Sequence, residues 1–247
     1  MKKILLLTLL ASQYLFAIIS ISPVDIGDKA GLSGNVAASL ETKRGNTDTD
    51  NYKAGLKINY DDNVSAVTWG EIAGSYGKSN DVVDTNKLYL HIRHIHALTP
   101  EVVRAEGFIQ IQEDRYKDIK QRFLYGGDIR FKLPKTFKKS KAFIAIGAFN
   151  EHIKYIDENV ENNLRINSYL AYTAKLNKTS EVSYSLYYQP KIDDFSDYIE
   201  SHKLNLKINV YKKLFLNFRI TYDVDSKPAN DLKKYDFYQE TAFTLAF

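Results

Sequence analysis

The feature that most constrains this chain is a period of two. Along most of its length apolar and polar side chains take turns, the pattern of an extended strand with one face in an apolar surrounding and the other in a polar one. In 51–60, Tyr52, Ala54, Leu56, Ile58 and Tyr60 share one face, and Asn51, Lys53, Gly55, Lys57 and Asn59 share the other. In 122–132, Phe123, Tyr125, Gly127, Ile129 and Phe131 oppose Arg122, Asp128, Arg130 and Lys132. Segments 164–176, 203–210 and 214–224 repeat the alternation, with Arg165, Lys203, Lys207 and Arg219 on their polar faces. Weaker versions run through 32–42, 66–77, 86–97, 101–112, 141–151, 181–190 and 235–247. Segment 141–151 is apolar on both faces, so periodicity assigns neither of them outward.

These segments number twelve, and most are about ten to thirteen residues long. Strands of globular proteins run about five or six residues, whereas about ten tilted residues cross an outer membrane. The links alternate as well. Those at 44–50, 78–85, 113–120, 152–162, 191–197 and 225–234 are long and polar; those at 61–65, 98–100, 177–180 and 211–213 are short, with 134–140 the longer exception. A soluble sandwich or lipocalin-like barrel also alternates. Long strands in unbroken succession with no helix between them suit a closed meander, and closure removes exposed sheet edges. The expectation is an all-β fold, a transmembrane antiparallel up-and-down β-barrel of about 12 strands with both termini on the periplasmic side.

The first segment is read as an address. Lys2 and Lys3 precede an apolar run from Ile4 to Leu10, and small and polar residues lead to Ala17. That is the layout of a secretory signal, and the run is too short to span a bilayer. The predicted organisation is a cleaved signal peptide at 1–17, a periplasmic N-terminal extension at 18–31 and an outer-membrane barrel at 32–247. The secretion translocon, the barrel-assembly machinery and outer-membrane lipid are the partners this implies. At the other end Phe243, Leu245 and Phe247 share a face and the chain stops on an aromatic, which looks like a terminal assembly signal. Tyr52, Tyr60, Trp69, Tyr76, Phe123, Tyr188, Tyr222 and Tyr235 are expected in aromatic girdles at the two interfaces.

Composition removes several classes of function. Without cysteine there is no disulfide scaffold, thiolate metal site or thiol nucleophile. A net charge of +4 with no basic patch does not suit a nucleic-acid reader. His94 and His96 share a strand face while His91 lies on the other, so no metal set forms and no cofactor is implied. Ser201 and His202 are adjacent and therefore point oppositely, and His152 with Asp157 has only closeness in sequence, so no enzyme is predicted. What remains is the lumen. Lys53, Lys57, Arg104, Arg122, Asp128, Arg130, Arg165, Lys203, Lys207, Arg219 and Glu240 are expected to line it, joined by Lys132, Lys175, Glu41, Glu106, Glu181, Asp223 and Asp236. Surplus bases favour anions in an open pore, so the expected function is a narrow channel for small, anionic-leaning solutes. The alternative is a non-conducting structural or surface-interaction barrel, with an outer-membrane hydrolase behind it.

Gly45, Asn46, Thr47 and Asp48 form a turn cluster whose residue types tolerate positive φ or cap their own backbone. This Gly-Asn-Thr-Asp-Thr hairpin between the first two strands resembles the bacterial salt-induced outer-membrane protein family, a domain of unknown function. Trp69 in the third strand, and Glu113-Asp114-Arg115-Tyr116 ahead of Arg122 and Tyr125-Gly126-Gly127, fit the same layout. The resemblance implies an outer-membrane barrel over about 30–247 and carries no catalytic residue. Asp128 and Arg130 depart from it, standing where similar proteins tend to keep further glycines.

Overall fold

A computed structural model of the chain describes residues 23–43, 49–99, 102–134, 139–229 and 232–247, with backbone alone at 41–43, 49 and 116. The segment 1–17 and the hairpin residues Gly45, Asn46, Thr47 and Asp48 lie outside the described residues. Among the described residues twelve strands form: β1 (Gly31–Lys43), β2 (Thr49–Asp61), β3 (Ala66–Ser79), β4 (Val82–Thr99), β5 (Val103–Asp114), β6 (Ile119–Leu133), β7 (Ser140–Tyr155), β8 (Val160–Lys175), β9 (Ser180–Pro190), β10 (Tyr198–Tyr211), β11 (Leu214–Asp225) and β12 (Tyr235–Ala246). Each pairs with its neighbours in sequence and β1 pairs with β12, giving a closed antiparallel up-and-down barrel. The alternation therefore separates an outer face from an interior one.

The outer face is a belt of exposed hydrocarbon. Leu32, Val36, Ile58, Ile72, Ile92, Ile109, Ile129, Ile144, Leu204 and Ile220 all point outward, and Ile146 keeps 60% of its surface accessible. A soluble protein rarely tolerates contiguous apolar surface on this scale; lipid supplies the missing cover. Tyr52, Tyr76, Phe123, Tyr188, Tyr222 and Tyr235 face outward within a few residues of their strand ends, all toward the rim opposite the termini. Tyr198 joins them, its ring 5.5 Å from that of Tyr188. Tyr60 marks the other rim. Trp69 corrects the expected girdle: it points into the barrel, stacked on His91 at 4.8 Å.

Two further corrections concern the strands. β4 has 18 residues and β7 and β8 have 16 each, longer than the alternation alone indicated. Most of the gain lies at the distal rim, the one away from the termini. The segment 78–85 is not a long loop: Lys78–Val83 and Ser79–Val82 continue the ladder, and Asn80 and Asp81 turn the chain with φ of 49° and 63°. Two successive left-handed residues give a turn whose twist matches that of the strands it joins. Much of the asymmetry between the rims thus resides in strand extension. In β7, where periodicity was silent, Phe143, Ala145, Phe149, Glu151 and Ile153 point inward while Ile144 and Ile146 face out.

Closure is completed by the chain end. Asn35–Ala246, Val36–Leu245 and Ala37–Thr244 form the seam. Phe247 N–H donates to Gly34 O (2.9 Å), Gly34 N–H donates to Phe247 O (3.3 Å), and Lys29 Nζ donates to that same Phe247 oxygen (2.7 Å). A side chain at position 34 would collide with the Phe247 ring and with Lys57 O, so Gly34 is what lets the last residue lie against the first strand.

Candidate functional site

The interior is the candidate site, and its two halves differ. In the sector from β4 to β9 it is filled. Glu106 on β5 accepts from Arg93 Nη1 on β4 (2.6 Å), Arg130 Nη1 on β6 (2.9 Å) and the Tyr169 hydroxyl on β8 (2.7 Å). The last bond spans three strands and so crosses part of the interior. Arg93 also lies 4.9 Å from the Phe108 ring centroid, and Arg130 lies 3.6 Å from that of Phe143. Asn167 Nδ2 donates to Asp128 (2.9 Å), and Gln189 Nε2 donates to Asn167 Oδ1 (2.8 Å). Nearer the distal rim Glu151 is shared by Arg122 and Arg165, and Arg165 Nη2 reaches Asp197 Oδ1 at 2.9 Å. Burial of a charge is costly unless it is paired, and here carboxylate and guanidinium groups replace each other's lost hydration with charge-assisted hydrogen bonds. Trp69, His91, Phe108 and Phe149 form a row of rings beside this lattice, successive centroids 4.8, 5.9 and 6.1 Å apart.

The opposite sector, from β10 round to β3 with Lys87 of β4 beside it, is more basic and partly open. Lys53, Lys57, Arg219 and Glu240 are buried there, whereas Glu71, Ser75, Lys87, Lys203 and Lys207 are half-exposed. Lys57 Nζ stands 4.3 Å from the Trp69 ring and Lys207 Nζ 4.3 Å from that of Phe215. Lys87 pairs with Asp114 at 3.0 Å, and Arg219 Nη1 lies 3.8 Å from Glu240 Oε2. Six bases against three acids, Glu71, Glu240 and the Asp114 partner of Lys87, leave this wall positive.

All eleven residues expected to line the lumen have inward register positions. Lys53, Lys57, Arg104, Asp128, Arg130, Arg165, Arg219 and Glu240 are buried, and Arg122, Lys203 and Lys207 are intermediate. The structure brings them into two groups. Arg104, Arg122, Asp128, Arg130 and Arg165 belong to the packed sector, and Lys53, Lys57, Lys203, Lys207, Arg219 and Glu240 to the basic one. Phe243, Leu245 and Phe247 face outward at the seam. His94 and His96 also face outward, with His94 Nδ1 2.8 Å from Thr68 Oγ1. Ser201 and His202 do point oppositely: Ser201 Oγ donates to Asp223, and His202 meets Tyr184 and Glu200. Arg93, Glu151, Tyr169 and Asp197 were not singled out from the sequence. Arg93 was within reach, since it shares a face with His91; Glu151 was hidden by the two-sided apolar pattern of β7.

Both mouths carry straps. At the distal rim a 3-10 turn (Arg115–Lys117) follows β5, and Lys117 Nζ meets Asp236 Oδ2 of β12 at 3.0 Å, nearly opposite in the barrel. Burial alone lowers the pKa of Lys117, but Asp223 and Asp236 outweigh it and hold the ammonium above its ordinary value. At the other rim residues 23–30 fold into the mouth. Lys132 Nζ donates to Asp25 Oδ2 (2.8 Å), Arg130 Nη1 donates to Val24 O (2.9 Å), and Gly27 N–H donates to Asp61 Oδ2 (2.8 Å).

A closed antiparallel barrel with a hydrocarbon exterior, aromatic margins and an ionic interior defines the class: a β-barrel of the outer-membrane type. Within it the chain belongs to the family described as protein of unknown function, DUF481, whose match spans residues 36–247. Solved structures share the fold. An outer-membrane channel from Pseudomonas putida F1 is 12% identical, with a TM-score of 0.56, covering 91% of this chain and 100% of its own. The translocator domain of the autotransporter NalP from Neisseria meningitidis is 9% identical at a TM-score of 0.54, with 89% of each chain covered. The NanC porin is 8% identical at 0.50, over 87% of this chain and 97% of its own. A search of the curated proteins finds no significant relative.

Proposed function

We propose that the protein is an outer-membrane channel, narrow and anion-preferring, that passes small solutes along its basic sector. The observation that carries this reading is the half-exposed wall of Lys87, Lys203 and Lys207 beside buried Lys53, Lys57 and Arg219. Likeness to an outer-membrane channel and to a porin supports it. At an effective dielectric near 20, one unit charge about 8 Å from a permeating ion contributes about 2 kcal/mol, enough to bias a narrow path. In the same proposal residues 1–17 direct export through the secretion translocon, 18–31 lie on the periplasmic side, and Phe243, Leu245 and Phe247 engage the barrel-assembly machinery. The distal rim, where the Gly45–Asp48 link between β1 and β2 falls in the sequence, then faces outward from the cell.

The test is planar-bilayer recording of the refolded protein in a potassium chloride gradient. The expected reversal potential favours chloride, and Lys203→Glu with Lys207→Glu moves it toward potassium. A cation preference in the parent protein overturns the charge argument. The second reading is a non-conducting barrel, favoured by the Arg93–Glu106–Arg130–Tyr169 lattice filling one side of the interior. Absence of conductance under every condition establishes that reading instead.

A further inference from the structure

The segment ahead of β1 is seated in the barrel in a way that its covalent attachment alone does not require. Asp25 is 1% exposed, and cations of the inner wall surround it. Lys132 Nζ donates to its Oδ2 at 2.8 Å, Arg104 Nε stands 3.7 Å from its Oδ1, and Arg130 Nη1 holds the carbonyl of the preceding Val24 at 2.9 Å. Asp28 of the same segment pairs with Lys141 of β7, and Gly27 is tied to Asp61 of β2. The charged groups facing Asp25 are therefore Arg104 on β5, Arg130 and Lys132 on β6, and Lys141 on β7, with Asp28 beside it on its own segment. Burial raises the pKa of Asp25, but the Lys132 hydrogen bond and the charges of Lys132, Arg130 and Lys141 prevail and hold it below the ordinary carboxylate value.

The fit is incomplete. Asp25 Oδ1, Arg104 Nε, and Arg130 Nε and Nη2 are buried, yet none has a hydrogen-bond partner in the protein. Buried donors in native proteins are nearly always satisfied, and a guanidinium fork is matched by the two oxygens of a carboxylate approaching in its plane. Asp25, constrained by its own backbone and by Asp28, meets these donors with one oxygen at hydrogen-bond distance from Lys132 and the other short of Arg104.

We propose that Arg104, Arg130 and Lys132 form a carboxylate-binding site at the terminus-bearing mouth of the lumen. Asp25 fills it as a tethered stand-in, and a free carboxylate solute displaces residues 23–30 and opens that mouth. The seating of the segment is independent of the channel reading; the opening for passage rests on it.

The experiment uses a single thiol reporter, which the absence of cysteine from the sequence makes clean. Ile26→Cys, half-buried in the segment, is labelled with a water-soluble maleimide in the full-length refolded barrel. Labelling is expected to be slow in this parent. It is expected to be about tenfold faster with Asp25→Asn, the scale of one charge-assisted hydrogen bond lost. Lys132→Gln should produce the same acceleration from the wall side, which guards against a misfolded variant. Succinate in place of chloride at equal ionic strength should speed labelling of the parent but not of the Asp25→Asn variant. Equal rates for the parent and both variants overturn the docking. Fast labelling in the variants with no response to succinate overturns the carboxylate assignment. Conductance recorded on the same samples separates the two readings: if labelling responds as expected and Asp25→Asn still conducts nothing, the tethered ligand stands and the channel falls.

Discussion

Single residues set this barrel's turns and its closest approaches. Asp62, between β2 and β3, accepts from the backbone of Val64, Ser65 and Ala66, each at 2.8 Å. Asn177, between β8 and β9, accepts from Thr179 and Ser180 in the same manner. Both were legible as turn residues, because a short side-chain acceptor beside its own amides is a local device. Gly147 was not legible in this way. A Cβ there would press on Gly127 O and on Asp128, a constraint imposed by β6 rather than by its own strand. Gly147→Ala is expected to destabilise the barrel by about 1–3 kcal/mol, the usual cost of overpacking, measured as a lowered urea midpoint. Glu158, in the turn after β7, is bonded by Lys120 and Lys154, which draw its pKa from 4.5 to about 2. A depressed carboxyl stabilises fully above its unfolded value, so this contribution is present above pH 4.5 and disappears as pH falls through about 2. Carboxyl NMR titration of Glu158 should report that low midpoint, and Lys120→Ala should raise it.

Among the elements, the seam is the distinctive one. The register between β1 and β12 covers three pairs near the termini, while β1 and β2 pair along their whole length. Local opening follows the weakest hydrogen-bonded line in a structure. Hydrogen exchange should therefore be faster for amides of β1 beyond Ala37 that face β12 than for those between β7 and β8; equal protection would mean a continuous seam. Strand identity was readable from alternation at β2, β6, β8, β10 and β11. Strand ends were not, because polar residues such as Lys78 and Ser79 continue a ladder as readily as they form a loop once a partner strand is beside them. The facing of β7 was likewise decided by its neighbours: Glu151 turns inward to Arg122 and Arg165, carrying Phe143 and Phe149 with it.

On the scale of the whole molecule, the interior is a divided space. One side is a buried lattice centred on Glu106 and Glu151, and the other is a basic wall with partial access to solvent. Removing one member of a buried charge pair typically costs about 3–5 kcal/mol. Glu106→Gln, which leaves Arg93 and Arg130 buried against a neutral amide, is expected to lower stability by that order in urea unfolding. An exposed pair such as Lys227 with Asp194 (2.6 Å) should be nearly silent by comparison, since solvent screens it. If both substitutions behave alike, the lattice is not what holds the packed sector together.

In the clearly alternating strands β2, β6, β8, β10 and β11 the amino-acid sequence by itself determined which side chains face outward and which turn inward, because a strand's period of two is fixed by local backbone geometry. It also determined the approximate strand number and the antiparallel order, since short links permit little else. Tertiary structure alone decided which inward residues meet. Tyr169 finds Glu106 across 63 positions of sequence, and Lys132 finds Asp25 across 107. Those encounters depend on the accumulated register and stagger of the closed sheet, a property of all its strands together and of no segment alone.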